Sequence, residues 1–84
     1  MRITAFRQGG FGYVPFSIED LEDLSKYTFL EKINGYLSGE MIAIRSPEGE
    51  RCFLRSAHFD ELRRAYKKSG NKDESLDQLF SQVS

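Results

Sequence analysis

From residue 2 the chain alternates between two kinds of side chain. Ile3 and Ala5 fall on one side, and Arg2, Thr4 and Phe6 on the other, the period-two signature of a strand. Gln8, Gly9 and Gly10 supply a turn, after which Phe11 and Tyr13 alternate against Val14 and Phe16. The two runs predict a β-hairpin. Pro15 has no amide hydrogen and belongs near a strand end or at a sheet edge. Ser17 opens "SIED", a Ser-x-x-acid capping box, which predicts a helix from Ile18 to Tyr27. Ile18, Leu21 and Leu24 would face inward, and Glu19, Asp20, Glu22 and Asp23 outward, where they suit the helix dipole. The stretch "TFLEKINGYLSG" is read as an extension of that helix, with a turn at Asn34–Gly35.

A second hairpin follows. "EMIAIR" and "RCFLRS" flank "SPEGE", and Ile42, Ile44, Cys52 and Leu54 share one face. Ser56 is placed as an N-cap for a helix that buries Phe59, Leu62 and Tyr66 and stops at Gly70. Leu76, Leu79, Phe80 and Val83 repeat at i, i+3, i+4 and i+7, predicting a short amphipathic helix capped by Asn71 or Asp73.

These elements predict an α+β fold in the order ββαββα, closing as a four-stranded antiparallel sheet with both helices on one face. In connectivity that arrangement resembles a circular permutation of the ferredoxin-like fold. The halves also match at an offset of 39, in Ile3 with Ile42, Gly10 with Gly49, Ser17 with Ser56 and Tyr27 with Tyr66. Residues 1–72 form the expected single domain, and residues 73–84 the C-terminal amphipathic helix, docked on that domain or on a partner.

Composition narrows the chemistry. With 84 residues the chain is one domain's worth, too small to enclose a large cavity. Cys52 is the only cysteine and His58 the only histidine, so no intramolecular disulfide and no multi-cysteine metal site can form. Cys52 and His58 could pair as nucleophile and base, but alternation buries Cys52. Gly9, Gly10 and Gly12 lack the Gly-Lys-Ser/Thr of a phosphate loop, and no calcium loop or paired carboxylates occur. The expectation is a non-enzyme with no metal and no cofactor. "MRITAFRQ" lacks the apolar run of a signal peptide, and no stretch has the length of a membrane span, so a cytoplasmic protein with no membrane partner is expected.

The formal net charge of −1 conceals blocks. Residues 17–50 carry eight acids and three bases, whereas residues 51–72 carry seven bases and two acids. Arg63, Arg64, Lys67 and Lys68 form one basic helical face, read either as a contact for anions or as a partner for the acidic helix beside it.

On the expected sheet the helix-covered face takes Ile3, Ala5, Val14, Phe16, Ile42, Ile44, Cys52 and Leu54. The other face takes Phe6, Phe11, Tyr13, Arg45, Arg51, Phe53 and Arg55, with Arg2 beside them. A surface both aromatic and basic marks a contact site. The octapeptide "GGFGYVPF", residues 9–16, resembles the ribonucleoprotein octamer of RNA-recognition-motif domains in Gly10, Phe11, Gly12, Val14 and Phe16, with Tyr13 conservative and Gly9 in the basic position. The resemblance covers eight residues and comes after one strand, where that family's octamer lies on the third. It implies that Phe11 and Tyr13 stack on unpaired bases, with Phe53 as companion ring and arginines on phosphates. Two functions are therefore expected: first, a protein-interaction module acting as a regulator, inhibitor or assembly factor, with a protein or a second copy as partner; second, a single-stranded RNA or DNA binder.

Overall fold

A computed structural model describes residues 2–35 and 39–82. Its elements are β1 (Ile3–Gly9), β2 (Gly12–Ile18), α1 (Leu21–Leu24), β3 (Thr28–Gly35), β4 (Gly39–Arg45), β5 (Arg51–Arg55), α2 (Ser56–Ser69) and α3 (Glu74–Ser81). The strands form one antiparallel sheet in the order β2-β1-β5-β4-β3. The class is α+β, but the sheet has five strands where the sequence pattern predicts four.

The fifth strand replaces most of the expected first helix. β2 runs on through Ser17 to Ile18, so Ser17 is a strand residue and Ile18 is buried in the sheet. The helix shrinks to one turn, capped instead by Asp20, whose Oδ1 accepts from the Asp23 amide at 2.9 Å. Residues 28–35, expected to continue the helix, are β3, paired to β4 from Thr28 opposite Arg45 to Gly35 opposite Gly39, with a bulge at Leu30. Residues 36–38, next to the expected Asn34–Gly35 turn, fall outside the described residues.

The strand order also departs from the ββαββα arrangement. A twofold axis relating the two hairpins would pair β1 with β4 or β2 with β5; instead β1 pairs antiparallel with β5. The helices nonetheless pack on one side. Ile3, Ala5, Ile18, Ile42, Ile44, Cys52 and Leu54 form the sheet's contribution to the main core, and Phe59, Leu62 and Tyr66 of α2 cover them. Leu76, Leu79 and Phe80 of α3 join the same cluster, with the Phe80 ring edge-on to Phe59 at 5.1 Å. Val83 lies outside the described residues. The Tyr66 hydroxyl ties α3 to α2, accepting from the Asp73 amide at 2.8 Å and donating to Asp77 Oδ1 at 2.7 Å. Asp73 in turn caps α3 through the amides of Ser75 and Leu76. Ser56 begins α2 itself, and the N-cap is Arg55, which makes no side-chain capping bond.

The β1–β2 hairpin has a two-residue loop, Gly10–Phe11, between the paired Gly9 and Gly12. Gly12 has φ +134°, a backbone state that side chains with a Cβ resist. The ladder from β1 to β5 is short, Phe6 opposite Phe53 and Arg7 opposite Cys52, so the turn end of the hairpin runs past the start of β5. Val14, expected in the core, lies opposite Arg7 on the edge strand β2 and is exposed.

Candidate functional site

Among the described residues no helix covers the second face of the sheet, yet it is not bare backbone. Met41 and Ala43 of β4 and Phe53 of β5 are buried there, flanked by the half-buried Phe6, Tyr13, Leu30 and Ile33. Four consecutive β4 residues, Met41 through Ile44, are buried because alternate ones serve the two cores. Tyr13 stands edge-on to Phe53 with ring centroids 5.1 Å apart and planes at 73°, a favoured aromatic geometry.

Arginines border this apolar strip at both ends. Arg45 and Arg51 are directly opposite each other on β4 and β5, and Arg55 is opposite Met41. The Arg51 guanidinium lies 5.5 Å from the Phe53 ring centre and donates to Glu31 Oε2 at 2.9 Å. The Arg55 guanidinium lies 5.3 Å from the centre of the Phe6 ring. Like charges facing across a ladder oppose sheet pairing, and here Glu31 relieves one member of the pair. On the helix-covered side of the sheet, Lys32 and Glu40 pair with each other at 3.3 Å. Glu40 also accepts from the Ser56 hydroxyl at 2.9 Å; that bond, with Lys32, holds its carboxyl below the usual range.

The structure brings together Phe6, Tyr13, Arg45, Arg51, Phe53 and Arg55 of the predicted set, but on different terms. Phe53 is only 2% exposed, beneath Tyr13 and Arg51, so its ring offers no open face to a base. Phe11 is not on the sheet face at all: it occupies the hairpin loop, fully exposed. Phe16 packs against the main core under the Arg7 guanidinium, 4.4 Å from its ring centre. The octapeptide is thus a turn and an edge strand, with one residue, Tyr13, contributing to the second face. Leu30, Ile33 and Met41 join the face without having been expected on it. Met41 is legible in the alternation of β4, whereas Leu30 and Ile33 require β3 to be recognised as a strand.

The basic helical face is separate. Arg63 pairs with Asp60 on its own helix at 3.8 Å and lies over Phe59, while Arg64, Lys67 and Lys68 point to solvent. Cys52 faces the main core, and burial, with Glu50 adding, pushes its thiol above the ordinary range. His58 lines a pocket on the other face with Thr4, Phe6 and Arg55, so the two do not form a nucleophilic pair. Among the described residues no helix is long and apolar enough to cross a membrane, and no cluster of three metal-ligating side chains occurs. Comparisons with protein-family models, curated proteins and solved structures gave no match to this chain.

Proposed function

We propose that this chain is a non-catalytic protein-interaction module whose helix-free sheet face docks an acidic, partly apolar segment of another protein. The observation that carries this reading is the apolar strip of Phe6, Tyr13, Leu30 and Ile33 with arginines at both ends. Arginine beside aromatic rings is the composition of binding hot spots, since both bury large area at modest entropic cost. A second copy on the same face would set Arg45, Arg51 and Arg55 against their own counterparts, which disfavours self-association there. Base stacking is disfavoured because Phe53 lies under Tyr13 and Phe11 is on the hairpin loop.

Site-specific photocrosslinking tests the reading. A benzophenone side chain at position 13, with position 64 on the helix side as control, is irradiated in an extract of the source cells. The expected product is one polypeptide, crosslinked through an acidic segment from position 13 and not from 64, and lost when Arg45 and Arg51 are both changed to Glu. Crosslinks to nucleic acid, to a second copy, or equally from both positions contradict it.

A further inference from the structure

At the Arg55 end of the sheet face lies a pocket. Its volume is about 360 Å³, and Thr4, Phe6, Arg55 and His58 line it. We propose that this pocket is a carboxylate subsite, receiving a Glu or Asp side chain of the docked segment; the inference rests on the docking reading above and names the contact that anchors it.

Three observations converge. First, no carboxylate lies within ion-pairing distance of Arg55 among the described residues, in contrast to Arg51 with Glu31 at 2.9 Å. Second, Arg55 is positioned without being neutralised: its guanidinium lies over the Phe6 ring, a contact that holds the planar group and leaves its edge donors available for a bidentate acceptor. Third, among the described residues no acid lines the pocket. Glu61, three residues along α2, approaches His58 Nδ1 at 3.5 Å, and Glu40 is engaged by Ser56 and Lys32. His58 Nε2 is sealed from solvent with no hydrogen-bond partner among the described residues, so the imidazole shapes the pocket while Arg55 and the exposed Thr4 hydroxyl supply its donors. One guanidinium and one hydroxyl match the single charge of a carboxylate.

Position 55 allows a clean test, because the Arg55 side chain makes no capping bond to α2 and can be changed without uncapping it. The ¹⁵N-labelled protein is titrated with an acetylated, amidated peptide of alternating leucine and glutamate, and separately with its leucine–glutamine counterpart. The expected result is saturable shifts at Thr4, Phe6, His58 and the Arg55 Nε–H with the glutamate peptide only. Arg55→Gln weakens that binding on the order of tenfold, in line with the loss of a charge-assisted hydrogen bond, and Arg55→Lys retains part of it; both variants keep the dispersed spectrum of the parent. Glutamate-dependent shifts confined to the Arg45–Arg51 end and indifferent to Arg55→Gln overturn the subsite while leaving the docking reading intact. Identical behaviour of the glutamate and glutamine peptides overturns both.

Discussion

Phe59 has no exposed surface and lies where α2, α3 and the sheet meet, in contact with the Phe80 ring. Removing it leaves a cavity bounded by rigid elements, so Phe59→Ala should cost about 3–5 kcal/mol in urea unfolding. Cys52, 2% exposed, should react with a thiol reagent such as dithionitrobenzoate only as fast as the protein opens; Phe59→Ala should speed that reaction, whereas burst labelling of the folded parent would contradict the buried placement. At Tyr66 the Asp73 amide favours the phenolate, but burial and the acceptor Asp77 carboxylate outweigh it, raising the phenol above its ordinary range. A raised pKa means that the folded state holds the proton more tightly. This contribution is complete below about pH 10, the ordinary tyrosine value, and is lost as pH rises through the folded-state value. Tyr66→Phe should therefore lower stability at neutral pH and abolish that alkaline loss, followed by unfolding midpoints across the alkaline range. At this scale much of the main core is legible in the sequence, because Ile3, Ala5, Ile42, Ile44, Phe59, Leu62 and Leu76 sit at strict strand or helix periods. Alternation assigns Phe53 to the right face but leaves it open, since its cover comes from Tyr13 on a strand two places away in the sheet.

The elements show where local pattern gave way to pairing. Residues 28–35 contain Leu, Glu and Lys, good helix formers, and extend the preceding helical pattern in sequence. Their strand state depends on β4, whose edge would otherwise be unpaired, and that partner lies beyond the window any periodicity count uses. The capping box at Ser17 gives way for a related reason: Ile18 gains more by pairing opposite Ile3 and burying in the sheet than by opening a helix. The β1–β2 hairpin is legible, but its loop is Gly10–Phe11, and Gln8 and Gly9, expected in the turn, are paired strand residues. A Cβ on Gly9 would come 2.8 Å from Val14 Cγ2, so Gly9→Ala should destabilise the hairpin, and Val14→Ala in the same chain should restore most of the loss because Val14 is itself exposed. Gly12→Ala has no such rescue, since its φ of +134° strains the backbone itself, at a cost on the order of 1–3 kcal/mol. A double-mutant cycle by thermal unfolding separates the two cases, and a Val14→Ala rescue of Gly12→Ala would contradict the assignment.

For the whole molecule, the sequence pattern indicates helices on one side and an aromatic, basic surface on the other. It cannot indicate the order β2-β1-β5-β4-β3, which turns on the long-range choice of β5 as the neighbour of β1. That choice places Phe6 opposite Phe53 and so assembles the second apolar strip, and it places the arginines of β4 and β5 at its ends. The proposal that this face serves an acidic protein segment, rather than a second copy or a nucleic acid, is open to a direct test. Size-exclusion chromatography with light scattering is run with and without a mixed single-stranded oligonucleotide. The expected species is a monomer of 9.7 kDa whose elution the oligonucleotide leaves unchanged even at low salt. A dimer that persists in high salt, or a complex with the oligonucleotide that dissolves as salt rises, would contradict it.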